Sequence, residues 1–429
     1  MKLNSLNSRY VLMILIVAIV CSAIAYQWGA STVSPVTLTV TSYTTSYERI
    51  FNTFTTVTTL PITITATITK SVTQVRTERL SPPVVPRGML VIMGGMTFDE
   101  AYWKIIEGSG GGSPKVGIIP TASSTPYDTG SYYVDVFRSY GADAVLVDIT
   151  ETNCGTTAYS DEIFNLIESL DAVFFTGGDQ NRITKCLIRN NEPTPALRAL
   201  WDLFMRGGLI SGNSAGAAIM SDPMIGGGMD EGVLIVRGLG FLLYGQVIVD
   251  QHYLARGRFL RHMEALMQTN TRFGVGIDEG SALVCSGEGS CAVIGFAPVV
   301  FVKYDSFNGT YHKFMLTYLT PGDSLEIAKY RSMVNASKSL ISSGELQGAG
   351  SAPPELTRLI DIKSPEGLSS TIKLLLQYNE VSITLKSESG KVTYNLVFRR
   401  TSDTAIYETE FFGASRYSAL NILLLISKK

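Results

Sequence analysis

The sequence predicts an open α/β sheet with helices on both faces, and three observations predict it. Short, continuous apolar runs recur along the middle of the chain, each closed by Gly, Pro or Asp. Such runs suit strands buried on both faces, as in a parallel sheet. Stretches with apolar residues at helical spacing lie between them, and that alternation favours a sheet covered on both sides. The 429 residues are 45% hydrophobic and 17% charged, which is enough apolar material for a sizeable core and excludes disorder throughout.

The strand candidates come in order: MLVIMGG (89–95), KVGIIP (115–120), ADAVLVD (142–148), DAVFFTGG (171–178), GLISG (208–212) and GVGIDEG (274–280). Ser160-Asp161-Glu162 opens the helix candidate EIFNLIESL, with Ile163, Leu166, Ile167 and Leu170 on one face, and Pro193 to Met205 has a similar pattern. Ligands of such sheets bind at the carboxyl ends of the strands, so the Gly-rich ends border the expected site. After about residue 305 the texture changes to more Ser and Lys and less Gly, with EVSITLKSES and KVTYNLVFRR alternating as strands do. This segment reads as a small α+β appendage without a chemical motif.

The N-terminus is of another kind. Residues 11–26 form an uncharged apolar run of 16, preceded by Lys2 and Arg9, and the next charge is Glu48. The bias points the N-terminus to the cytoplasm and the body outside. The run is shorter than the roughly 20 residues of a comfortable span, and Ala23-Ile24-Ala25 resembles a cleavage site. A signal peptide and an uncleaved anchor both fit, which makes the body either secreted or membrane-anchored and extracytoplasmic. Positions 31–80 hold 17 threonines and five serines, the composition of a stalk, with a period-two strand as the alternative. Ser81-Pro82-Pro83 and Pro86 mark its end.

Charge and cysteine content exclude several functions. Thirty-five basic and 37 acidic residues leave a net charge of -2 and no basic tract, so no nucleic-acid partner is expected. Five cysteines without a CxxC or a Cys/His cluster predict no metal site. In an exported protein Cys285 and Cys291 can close a hairpin and Cys154 can pair with Cys186; free thiols are the other reading. Asn308 and Asn335 head glycosylation sequons.

Gly212-Asn213-Ser214-Ala215-Gly216 follows the strand GLIS and precedes the small-residue run AAIM. A G-x-S-x-G turn between strand and helix exposes a serine nucleophile and points the next amide at an oxyanion. A hydroxyl cap on a Gly-rich turn is the plainer reading. Serine needs a base, and the chain has only His252, His262 and His312. His252 follows the apolar run GQVIVD, in Asp250-Gln251-His252 at a strand end, and is expected on the same sheet edge as Ser214. His262 falls in a helical stretch and His312 in NGTYHKF, where packing and surface roles are expected. Glu279, just past the strand GVGID, is the preferred carboxylate to orient the imidazole. Asp222, Asp230, Glu231 and Asp250 compete for that role. Arg258 and Arg261 are spaced to share a helix face, with Arg256 at the helix start, where guanidinium forks would grip a carboxylate. A solvated basic face is the alternative.

The segments FFTGGDQNRI (174–183), SGNSAGAAIMSD (211–222), DQHYLARGRFLRH (250–262) and GVGIDEGSALV (274–284) together resemble the serine peptidase family of cyanophycinase and aspartyl dipeptidase over residues 88–305. The resemblance implies a flavodoxin-like fold related to class I glutamine amidotransferase domains and a Ser214–His252–Glu279 triad. It implies oxyanion donors at Gly178 and Ala215, and substrate contacts at Gln180, Gln251, Arg256, Arg258 and Arg261. The implied substrate is a poly-aspartate bearing arginine on each β-carboxyl, cut to β-aspartyl-arginine, or a related aspartyl or isoaspartyl peptide, with no metal or other cofactor. Asn213 stands where the family pattern has a small or hydroxyl residue.

The expected organisation is residues 1–26 as signal peptide or anchor, 27–86 as stalk or linker, 87–305 as catalytic domain and 306–429 as appendage. The partners expected are the acidic peptide and, if the first segment is kept, the membrane; a homodimer is left open. A rival is an anchored, non-catalytic module that binds acidic peptides on the same fold. An amidotransferase conflicts with the absence of a cysteine at the elbow.

Overall fold

The computed structural model describes residues 86–411 and 414–429. The expected membrane segment and Cys21 lie outside these residues, as does the Thr-rich segment as far as residue 85. Among the described residues no helix is long and apolar enough to cross a membrane.

The first apolar runs form strands: β1 (Met89–Met93), β2 (Lys115–Ile119), β3 (Asp143–Leu146), β4 (Ala172–Phe175) and β5 (Leu209–Asn213). They stand side by side in the order β3-β2-β4-β5-β1, all parallel. Parallel neighbours need crossovers, which the helices supply. Helices α1 (Asp99–Gly108) and α2 (Pro126–Ser139) cover one face, packing Ile105 and Phe137 against Val91, Ile118 and Phe174. Helices α3 (Asp161–Glu168), α4 (Gln180–Leu187) and α5 (Pro195–Arg206) belong to the core on the other face, with Leu90, Ile92, Val173 and Phe175. Adjacent strand residues thus enter different cores, which is why these strands read as unbroken apolar runs. Local signals set the helix ends: Ser160 accepts from the amides of Glu162 and Ile163, Thr194 caps a helix that begins at Pro195, and Gly207 closes it at φ 116°.

The expectation of one sheet needs correction. Strands β6 (Val247–Gln251) and β7 (Phe273–Ile277) pair in parallel with each other, but in a second sheet. Helix α6 (Phe259–Thr269) connects them. The chain then returns to the first sheet: β8 (Ser281–Ser286) runs antiparallel beside β1, and β9 (Ser290–Gly295) pairs with β8. β10 (Val299–Phe307) and β11 (His312–Leu319) rejoin the second sheet. Apolar runs buried on both sides look alike in either sheet, so periodicity could not separate them.

The expected boundary at 305/306 falls inside β10. The C-terminal strands Glu380–Lys386, Thr393–Arg399 and Ala414–Lys428 continue the sheet of β6 and β7. One core joins Ile248, Phe259 and Met263 to Leu316, Leu396, Phe398 and Leu424. The segment is α+β in content, and it is built into the second sheet rather than appended to it. Two disulfides link Cys154 to Cys186 and Cys285 to Cys291, the latter across the β8–β9 hairpin.

Candidate active site

The carboxyl ends of both sheets meet at one rim. Register places Met93 of β1 opposite Asn213 of β5, and Gln251 of β6 opposite Ile277 of β7. Ser214, His252 and Glu279 therefore each follow a strand end by one or two residues. Gly94 and Gly95 allow the two sheets to touch. A Cβ on Gly94 would stand 2.2 Å from the Asp278 carbonyl oxygen, and one on Gly95 would stand 2.3 Å from His252 Nδ1. The Ser214 amide donates to the Met93 carbonyl at 3.0 Å, and the His252 amide donates to the Gly94 carbonyl at 2.6 Å.

At this rim the three side chains form a line. Ser214 Oγ lies 2.8 Å from His252 Nε2, and His252 Nδ1 lies 2.5 Å from Glu279 Oε1. Ser214 has φ 55° and ψ -107°, a strained backbone for a residue with a side chain, as a nucleophile elbow requires. His252 also has positive φ, at 47°. Burial lowers the imidazole below its ordinary value; the Glu279 hydrogen bond opposes this, and the nearby Arg256 adds to it. The net shift favours the neutral ring. Ala215 follows the serine at the start of a short helix, and Gly178 lies in the loop after β4 at φ 141°, where a Cβ would stand 2.1 Å from the Ala122 carbonyl oxygen.

The residues expected around the triad differ in what they do. Gln251 Oε1 lies 3.4 Å from Ser214 Oγ and accepts from Arg258 Nη1 at 2.8 Å. Arg258 is pushed down to about 10, by burial first and then by the neighbouring Arg261, and its buried Nε has no partner among the described residues. Arg256 is 53% exposed, with Nε 3.6 Å from Glu279 Oε1. Gln180 is buried and donates to the Ile225 and Gly226 carbonyls at 2.9 and 3.3 Å.

Arg261 needs correction. It does not share an open face with Arg258: its side chain is 5% exposed and bound at two points to Asp250, at 2.8 and 2.5 Å. Burial raises the Asp250 carboxyl, but the Arg261 guanidinium outweighs it and holds the group below its usual range. The physical reason is that the helix starts just past Arg258 and its first eight residues are all buried. α6 begins at Phe259, so Arg258 is its cap, Arg256 lies in the preceding turn, and Arg261 faces inward. Asp250, a competitor for the orienting role, is taken by this pair.

Several other positions were open in the sequence. His262 is fully buried, with its ring within 3.1 Å of the Tyr253 hydroxyl, a packing position. His312 pairs with the Tyr304 hydroxyl at 3.0 Å. Gly95 and the Arg261–Asp250 pair were missed; the first was visible only as a double glycine at a strand end. Asn213 is buried and hydrogen-bonded to Tyr133, with its Oδ1 unpartnered among the described residues. No group of three or more His, Cys, Asp or Glu among the described residues could hold a metal ion.

A hydroxyl, a neutral imidazole and a carboxylate in line can pass a proton off the hydroxyl while it attacks a carbonyl. Comparison with known proteins gives the family. Residues 89–293 match the model of peptidase family S51. The cyanophycinase of Geminocystis herdmanii is 32% identical over 237 residues, 53% of this chain and 84% of that protein. The cyanophycinase of Trichormus variabilis is 31% identical over 240 residues, 53% and 78% of the two chains. A peptidase crystal structure from an acI-B1 Actinobacterium is 22% identical, with TM-score 0.45, covering 57% of this chain and 98% of that one. This chain belongs to peptidase family S51 and is a serine-type peptidase.

Proposed function

We propose that the protein hydrolyses aspartyl peptides outside the cytoplasm, either β-aspartyl-arginine polymer or related aspartyl and isoaspartyl peptides. The observation that carries the reading is the unbroken line Ser214–His252–Glu279 at hydrogen-bond distances. Ser214 Oγ attacks the peptide carbonyl as His252 Nε2 takes its proton. Glu279 holds the Nδ1–H tautomer and stabilises the imidazolium. The amides of Gly178 and Ala215 stabilise the oxyanion, each such donor being worth about 3 kcal/mol. The C–N bond breaks as His252 returns the proton to the leaving amine, and water then cleaves the acyl-serine ester by the same route.

The substrate class rests on charge. Arg256 lies beside Glu279, Arg258 holds the Gln251 side chain that lies 3.4 Å from Ser214 Oγ, and the Arg258 Nε, without a partner among the described residues, suits a substrate carboxylate. Both this and the two relatives named cyanophycinase support an aspartate-containing substrate. Two disulfides support an oxidising compartment.

The test incubates the full chain with β-aspartyl-arginine polymer and with isoaspartyl and α-aspartyl peptides, and identifies products by mass spectrometry. Cleavage after aspartate is expected, and Ser214→Ala should lose about 10⁴-fold or more in kcat. A fluorophosphonate that fails to label Ser214 in the folded protein would instead favour a binding module.

A further inference from the structure

The family match ends at residue 293, yet the arginine side of the site is held by residues far beyond it. Lys363 lies against the turn Arg256-Gly257-Arg258. A Cβ at Gly257 would stand 2.7 Å from the Lys363 carbonyl oxygen and 3.2 Å from Lys363 Cβ. From there Lys363 Nζ reaches Asp230 Oδ2 at 2.5 Å. Asp230 is fully buried, has φ 44°, and also accepts from the Glu388 amide at 2.8 Å. The turn carrying Asp230 is tied in its own right to the catalytic side, because Arg261 Nη1 donates to the Gly228 carbonyl at 3.2 Å. The helix that follows the arginine turn is anchored to the same C-terminal segment, with Glu264 bonded to the Tyr394 hydroxyl at 2.6 Å and to Lys428 at 3.1 Å.

We infer that Lys363 is a positioning residue for substrate binding: one side chain spans the Arg256–Arg258 turn and the Gly228–Gly232 turn and fixes the two arginines relative to Ser214. The inference rests on the aspartyl-peptide reading for its substrate and on the contacts above for its geometry. The arginine turn has a glycine at φ 61° at its centre and is closed by main-chain bonds from Arg256 to His252 and from Arg258 to Tyr253, so it moves as a unit. The Asp230 carboxylate, removed from water, depends on the ammonium for compensation. Without that ion pair the two turns loosen against each other, and the arginine turn shifts as a unit against the bound substrate. The triad is held by other contacts, Ser214 to Met93 and His252 to Gly94, and keeps its line. Binding should therefore suffer and the chemical step should not.

The test compares full-length wild type, Lys363→Met, which keeps the apolar stem, Lys363→Arg, which restores the charge, and Lys373→Ala as an exposed control. Steady-state kinetics on β-aspartyl-arginine polymer are read with hydrogen exchange of the 228–232 and 254–258 amides. Lys363→Met should raise KM about tenfold with kcat within about threefold and speed exchange in both turns, Lys363→Arg should restore both, and Lys373→Ala should change neither. Unchanged KM, or a kcat that falls in step with rising KM, overturns the inference, as does unchanged exchange. If wild type cuts neither the polymer nor any aspartyl peptide, the substrate reading fails; the positioning of the turns then stands or falls on the exchange data alone.

Discussion

At the scale of single residues the site is governed by what surrounds one imidazole. Burial favours neutral His252, Arg256 favours it further, and Glu279 opposes both. The sign for activity follows. The proposed base works when neutral, and its value in the folded protein lies below the ordinary 6.5, so activity should persist into mild acid. The acid limb of kcat/KM, which reports the free enzyme, should have its midpoint below pH 6.5. Arg256→Ala removes a cation that disfavours imidazolium, and should move the limb upward. A pH profile on one fixed peptide checks both shifts. The placement of Ser214 and His252 just past strand ends was legible because the Gly-rich turn and the apolar runs before them carry local signatures. Arg261 was not, because whether a helical residue is buried depends on what packs around the helix, and the first eight residues of this one are all enclosed.

At the scale of elements, the decisive contact is between the carboxyl ends of two sheets at Gly94 and Gly95. The triad is split between them: Ser214 belongs to the first sheet, and His252 and Glu279 follow strands of the second. Only a residue without a side chain leaves room at position 95, since a Cβ there would stand 2.3 Å from the imidazole. Gly95→Ala should leave the fold intact and lower kcat by about 100-fold, the loss expected when a reacting group is displaced by about 1 Å. Circular dichroism with single-turnover kinetics tests this; wild-type kcat in the variant would show that the imidazole has another place to sit. The strands themselves, their order of appearance and several helix caps could be read in advance. Their assignment to two sheets could not, because hydrogen-bond partners across a sheet leave no mark on a strand's own periodicity.

At the scale of the whole molecule, the strands that carry the candidate His252 and Glu279 share cores with the C-terminal segment. Phe314, Leu316, Leu396, Phe398, Ile422 and Leu424 are buried beside helix α6 and strand β6. Burial of each such side chain contributes about 1.5–3 kcal/mol, so together they rival the roughly 5–15 kcal/mol by which domains are stable. A chain ending at residue 305 should show no cooperative unfolding transition and no labelling of Ser214, whereas the full chain should show both; calorimetry and fluorophosphonate labelling read the two outcomes. The sequence by itself determined the α/β class, the serine at its elbow and the histidine and glutamate at strand ends, because each is written within a few neighbouring residues. Only the tertiary structure decided that those strands belong to two sheets, that Arg261 is spent on Asp250, and that Lys363 reaches the arginine turn. These depend on which distant surfaces come to lie against each other, and that is settled by packing over the whole chain.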